Sequence, residues 1–334
     1  MKNLITILIS ASIFLLLTSF FTSNTDSPID ISGINVDVYQ DLQYGATNRE
    51  VLDIFVPTDE VSPTGIVIEI HAGGFYQWDK SRAYDASGET RIRQYLTAGV
   101  AYATINYPYV TLEGEEEGYI KCFEGGAHAL QFIKYHADKF NIDKTKVILK
   151  GTSAGASIAA WIAYGDDLAD AGNVNLALRE STSVKGIALR NPQASYDILK
   201  WETVVFASLN YNLENDYYAN PESAKGLHRN YGISSYDEFL FSAPIITYRQ
   251  DLDMLQFIED NNGKPTYINC PNTLYSTLNG SFSINDISHS PYHGLALKTA
   301  LNGKGTEVVS YLNGLFTEPS GEIEYDFVTR IINQ

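Results

Sequence analysis

The sequence predicts an α/β protein: a doubly wound, mostly parallel sheet with a cap insertion. Three observations carry this. From residue 36 onward, short β-branched runs alternate with segments of helical spacing, the pattern that covers both faces of a parallel sheet with helices. One run, Val147-Ile148-Leu149, leads into Gly151-Thr152-Ser153-Ala154-Gly155 and then a small-residue stretch over 156–163, a sharp strand-to-helix turn. Between about residues 198 and 264 the alternation breaks. That stretch, rich in Tyr, Asn and Asp, separates two strands expected to be neighbours, and it is read as a cap over the strands' carboxyl ends.

Taken in order, residues 36–42 and 51–56 read as a hairpin turning on Tyr44-Gly45-Ala46. Buried strands follow at 66–70 and 100–105, with a short helix near 91–97 between them. Helical spacing over 118–140 places Ala129, Phe132, Ile133 and Ala137 on one stripe. The elbow strand comes next, then a strand over 184–189, the insertion, a strand over 273–278, a helix over 294–301 and a last strand over 306–312. Ligands of such a sheet bind above the carboxyl ends of its strands.

With 334 residues and 44% hydrophobic content, the chain can build one large core or at most two domains. A net charge of −17 argues against nucleic acid and anionic membrane surfaces as partners. The run Glu113, Glu115, Glu116, Glu117 reads as a solvated loop. At the amino terminus, Lys2 precedes an apolar run over 4–21. It reads as a signal peptide occupying 1–23, which implies a secreted or periplasmic protein, with an uncleaved membrane anchor as the alternative. Residues 24–334 then form the folded domain. Cys122 opens a helix and Cys270 precedes a late strand, at opposite ends of the strands, so both are expected as free thiols.

The candidate site is read from two motifs. Gly151 and Gly155 flank Ser153 because a Cβ at either place would collide with neighbouring backbone, and the tight turn leaves the Ser153 Oγ standing above the sheet. Ile66-Val67-Ile68-Glu69-Ile70 runs into His71-Ala72-Gly73-Gly74-Phe75, a relative of the HGGG motif of lipases and esterases. Consecutive glycines let the N–H groups of Gly73 and Gly74 converge, with that of Ala154, on one point where negative charge can gather. His71 is read as bracing this loop. Phe75, Tyr76 and Trp78 are expected to wall a substrate pocket. Trp201, Tyr211, Tyr217, Tyr218, Tyr231 and Tyr236 would add to it from the cap, aromatic surface suited to sugar rings or aryl esters. His128 and His136 have no carboxylate or cysteine partner, and neither a metal nor a cofactor is expected.

On these residues the chain resembles the α/β-hydrolase superfamily, nearest the acetyl-esterase/lipase branch that carries HGGG and G-x-S-A-G. The likeness runs from about Val38 to the end and includes Tyr44-Gly45, Leu52-Asp53-Ile54-Phe55-Val56-Pro57 and Asn106-Tyr107. A little-characterised bacterial subgroup is more similar still. The likeness there lies in Gly151 to Ser157, Asp166-Asp167-Leu168-Ala169-Asp170, Arg179-Glu180-Ser181-Thr182, Asn191-Pro192-Gln193 with Asp197, and Asp286-x-x-His289-Ser290 before Gly294. The resemblance implies a serine hydrolase that cleaves carboxylic esters, short-acyl or carbohydrate, through an acyl-enzyme.

The chain departs from the common plan at the histidine. Members of the superfamily place the acid after the seventh strand and the histidine after the eighth, yet no histidine follows His293. A serine needs a positioned proton acceptor, so either the base has moved or the site is silent. His289, three residues past Asp286, is the favoured base, and His293 is read as a cap or packing residue. Asp286 is the favoured acid, with Asp197 as its rival. A silent fold used as a binding module and a peptidase are the rival readings.

Overall fold

A computed structural model describes residues 26–334 apart from 112, 210, 220, 262 and 276–283. The expected signal segment, 1–23, lies outside the described residues. Nine strands run through them: β1 (Val36–Gln43), β2 (Val51–Pro57), β3 (Thr64–Ile70), β4 (Ala101–Ile105), β5 (Ile142–Thr152), β6 (Gly186–Arg190), β7 (Thr266–Cys270), β8 (Val308–Leu312) and β9 (Phe316–Thr317). They form one sheet in the order β1-β2-β4-β3-β5-β6-β7-β8-β9. The run from β4 through β8 is parallel, while β1, β2 and β9 add antiparallel edges.

The helices are α1 (Ala86–Thr97), α2 (Ile120–Tyr135), α3 (Ala154–Tyr164), α4 (Leu213–Ala219), α5 (Pro221–Tyr231), α6 (Tyr236–Phe241), α7 (Ala243–Gln250), α8 (Met254–Asn261), α9 (Ile284–Ser288), α10 (Pro291–Gly303) and α11 (Glu324–Asn333). Strand alternation sends Ile66, Ile68, Val147 and Leu149 to the face packed by α2, α3, α8 and α10. Val67 and Ile148 go to the opposite face, under α1 and α11. Both faces are covered, which is why the central strands read as unbroken apolar runs. Each such fully buried Ile or Val contributes about 1.5–3 kcal/mol relative to exposure.

From β3 the chain steps outward to β4, then crosses back to β5 on the other side of β3. The order reverses between β3 and β5, and a crevice opens above their carboxyl ends. The loop beginning at His71 and the turn at Ser153 both leave from there.

Four expectations need correction. The seventh strand is Thr266–Cys270, not 273–278; residues 273–275 are irregular and 276–278 lie outside the described residues. Either segment has enough β-prone residues, and pairing between β6 and β8 selects the first, which Pro271 then ends. The strand expected last is followed by β9, paired through Leu312 and Phe316, and then by α11, which has no counterpart in the expected order. Cys270 ends a strand rather than preceding one. Both cysteines therefore lie toward the carboxyl ends of the strands; β3, β5 and β6 stand between β4 and β7, about 19 Å of sheet width, and both thiols are free and buried. Within the 198–264 insertion, α8 packs on α3 and α10 beside the sheet.

Candidate active site

Ser153 sits between β5 and α3 at φ 52° and ψ −118°, outside the regions a serine ordinarily occupies. Such a conformation costs about 1–3 kcal/mol and persists only where the surroundings over-determine it. Here they do. Ser153 N–H donates to Arg190 O at 2.8 Å, tying the turn to β6, and Ser157 N–H bonds Ser153 O at 3.0 Å to start the helix. A Cβ on Gly151 would overlap Gly155 backbone, and one on Gly155 would overlap the carbonyls of Ile70 and His71. Only glycine lets the elbow pass this close to the end of β3.

The loop after β3 is equally constrained. Gly73 and Gly74 have φ of 117° and 60°, and Phe75 and Trp78 also lie at positive φ, 71° and 77°. Phe75 is pinned by rings, with Tyr119 at 4.8 Å and Tyr196 at 5.5 Å between centroids. His71 braces the loop, as its sequence position suggested. Its ring stacks on Tyr107 at 4.5 Å, Nδ1 faces Ala72 O at 2.5 Å, and Arg49 Nη2 donates to Nε2 at 3.1 Å. Burial drives the His71 pKa down to about 4, so the ring is neutral, consistent with an Nδ1–H tautomer. Among the described residues, none of Gly73, Gly74 and Ala154 donates its backbone N–H to another protein group. Ala154 is the first residue of α3, a position with no intrahelical acceptor.

His289 comes to the same place from 136 residues away. Its Nε2 lies 2.7 Å from Ser153 Oγ. With Nε2 unprotonated, the hydroxyl donates to it. Burial lowers the His289 pKa from its ordinary value, opposed by the charge of Asp286, so the imidazole is neutral near pH 7. Asp286 lies in α9, one turn before His289, whose N–H bonds Asn285 O at 3.1 Å. A spacing of three residues puts both side chains on one face of that turn. Asp197 is engaged elsewhere: its Oδ1 lies 3.7 Å from Arg249 Nη1 and accepts from Leu199 N–H at 3.4 Å. Asp286 accepts from Tyr275 Oη at 3.4 Å, and its charge opposes the burial-driven lowering of the His289 pKa.

His293 is structural. It is wholly buried; its Nδ1 accepts from Ala194 N–H at 3.2 Å and its Nε2 donates to Ile287 O at 3.1 Å. Burial pushes its pKa to about 3. The ring thereby ties the segment after β6 to the turn that carries His289.

Two groups of residues escaped the sequence reading. Gln193 donates Nε2–H to Ser288 O at 2.6 Å, the carbonyl just before His289. Its Oε1 accepts from Ser157 Oγ at 2.9 Å and Tyr196 Oη at 2.8 Å. It connects the nucleophile's helix to the histidine's turn. Arg49 ties the glycine loop down through Asp79 at 2.9 Å and Trp78 O at 3.2 Å, and Asn106 Nδ2 holds Asp79 at 2.7 Å. The pairs Tyr44-Gly45 and Asn106-Tyr107 signalled that region without revealing its role.

A cavity of about 500 Å³ opens over Ser153 and His289. Gly73, Gly74, Ala154, Phe75, Tyr76 and Trp78 all line it. Phe75 is buried among core rings, whereas Tyr76 and Trp78 are 38% and 48% exposed. From the insertion come Trp201, Tyr211, Tyr217 and Tyr231; Tyr218 and Tyr236 are not part of the lining. α4 and α5 are the insertion's helices that reach the site.

A strand order that reverses beside β3, an elbow after β5 and a histidine loop after β7 define the α/β-hydrolase fold. Residues 52–212 match the family model designated BD-FAE. A truncated carbohydrate esterase from gut microbiota superposes with a TM-score of 0.63 at 13% identity, covering 92% of this chain and 99% of that one. Esterase B from Lactobacillus rhamnosis, inhibited by a C6-C4 SN3 compound, gives 0.55 at 15% identity over 86% and 77%. The thermophilic esterase Est2 of the Planctomycetes species Thermogutta terrifontis gives 0.53 at 14% identity over 90% and 91%. No curated protein matches the chain by sequence. Among the described residues, no helix is long and apolar enough to cross a membrane.

Proposed function

We propose that the protein is a serine hydrolase of carboxylic esters, acting through an acyl-enzyme on Ser153. The observation that carries this reading is the 2.7 Å contact between Ser153 Oγ and the neutral His289 imidazole. Ser153 Oγ attacks the ester carbonyl while its proton passes to His289 Nε2. The oxygen gathers negative charge opposite the N–H groups of Gly73, Gly74 and Ala154, which act as the oxyanion hole. His289 then protonates the leaving alcohol, and water repeats the sequence to release the acid. Asp286 steadies the imidazolium by its charge.

That the similar structures are esterases, a carbohydrate esterase among them, supports ester bonds over peptides. The aromatic wall of Tyr76, Trp78 and Tyr217 suits an acylated carbohydrate or aryl ester. The 201–231 region serves as the cap. Export to the periplasm or beyond rests on Lys2 and the apolar run after it. The test is hydrolysis of a short aryl ester by the wild type and by Ser153→Ala at matched melting temperature. The expected loss is about 10³-fold or more in kcat; turnover within tenfold of wild type overturns the proposal.

A further inference from the structure

We propose that the ester substrate carries a carboxylate and that Arg229 binds it; this rests on the ester-hydrolase reading and names the substrate's charge. Arg229 lies on α5 and lines the cavity that holds Ser153. Its guanidinium sits over the Tyr76 ring, 4.8 Å from the centroid, and its Nε donates to Asn230 Oδ1 at 3.0 Å. Those contacts fix the plane of the group and leave its two terminal nitrogens without an acceptor among the described residues.

Acidic residues outnumber Lys and Arg 40 to 23, and arginines near the site have found acids: Arg49 has Asp79 and Arg249 has Asp197. Arg229 is half-buried and has no carboxylate within ion-pair distance among the described residues. The cavity's own carboxylate, Asp216, is engaged with Tyr211 Oη at 3.5 Å. A planar fork with both terminal nitrogens open matches a carboxylate in the bidentate manner that lysine cannot reproduce.

The ring that carries Arg229 also packs on the glycine loop. Tyr76 Cε1 lies 2.9 Å from where a Cβ on Gly74 would stand, so the ring covers the glycine loop and Arg229 covers the ring. Arg229 and Ser153 line one cavity, so a carboxylate on Arg229 and the carbonyl under attack can belong to one substrate. It can belong to the alcohol, as in an acylated sugar acid, or to the acyl group, as in a half-ester of a dicarboxylic acid.

Paired substrates separate these. The alcohol arm compares acetylated glucuronate with acetylated glucose; the acyl arm compares 4-nitrophenyl hydrogen succinate with 4-nitrophenyl butyrate. Wild type is expected to favour the charged member of one pair by roughly tenfold or more in kcat/KM, the scale of a charge-assisted hydrogen bond. Arg229→Gln is expected to bring that ratio near one, chiefly through KM, and Arg229→Lys to keep part of it. No preference in either pair, or an equal loss on both members in Arg229→Gln, overturns the proposal. Calorimetric binding of glucuronate and succinate reads the anion site without catalysis. Binding of one of them that weakens roughly tenfold in Arg229→Gln supports the site, and no binding to wild type rejects it. Absent turnover of the neutral esters would instead count against Ser153 chemistry.

Discussion

The loops at 71–78 and 151–155 hold their groups through backbone, whereas the segments at 191–197 and 285–293 hold theirs through side chains. In the first region, four residues of the glycine loop and Ser153 itself sit at positive φ, and neighbouring carbonyls leave no room for a Cβ at Gly155. In the second, Gln193 and His293 fasten two loops more than 90 residues apart by hydrogen bonds to Ser288 O, Ile287 O and Ala194 N–H. Backbone geometry is a property of short motifs and is all-or-none. Side-chain bracing can be weakened one bond at a time, so changes in the second region should tune rate and pH dependence rather than abolish the fold.

Breaking the first region should have the largest effect. Gly155→Ala forces a Cβ into Ile70 O, and we expect a loss of about 3 kcal/mol in unfolding free energy, read from urea midpoints. A variant as stable as wild type would show that the elbow can relax, and the contrast between regions would fail.

Within the second region, the two carboxylates should separate. Asp286→Asn is expected to lower kcat by about 10²-fold, because the charge that steadies the imidazolium is gone. Asp197→Asn removes a partner of Arg249 and should show mainly in melting temperature, with kcat within about threefold of wild type. The reverse order would make Asp197 the acid.

Gln193→Leu frees Ser288 O and with it the turn that carries His289. A loss of roughly tenfold in kcat at similar KM is expected. Gln193→Glu keeps the acceptor for Ser157 and Tyr196 but loses the donor, so it should fall as far as the leucine variant. Full activity in Gln193→Glu would show that the bond to Ser288 does not place the base.

The smallest effects concern pH. The base works as neutral imidazole, and burial sets its pKa below the ordinary histidine value near 6.5, so the acid limb of kcat/KM should lie below that pH. Asp286→Asn removes a charge that raises this pKa and should move the limb lower still; a limb moving upward would contradict the assignment. Stability has its own pH dependence. His71 and His293 are neutral in the folded protein, with pKa values of about 4 and 3, while the unfolded chain protonates them near 6.5. The unfolded state therefore binds more protons below 6.5, and stability should fall from there toward pH 4 and 3.

The same contrast explains what the sequence disclosed. Glycines at 73, 74, 151 and 155 mark backbone requirements that no other residue meets, so half of the site could be read from two five-residue stretches. The covered strands β3 and β5 were legible for a similar reason, as unbroken apolar runs buried on both faces. β7 was not: Thr266-Tyr267-Ile268-Asn269-Cys270 is no more strand-like than the residues after it, and only its neighbours in the sheet decide the matter. His289 was reachable by elimination among six histidines, but its spacing to Ser153 carries no local signal. Gln193 and Arg229 are ordinary polar residues in sequence, and their roles exist only once α5 and the loop after β6 are packed around the cavity.

Activation of Ser153 by His289 can be read by labelling with a fluorophosphonate probe and locating the adduct by mass spectrometry. One adduct per chain is expected, on Ser153, absent in Ser153→Ala and formed about 10³-fold more slowly in His289→Asn. An unlabelled wild-type protein, or a His289→Asn variant that labels at the wild-type rate, would contradict it.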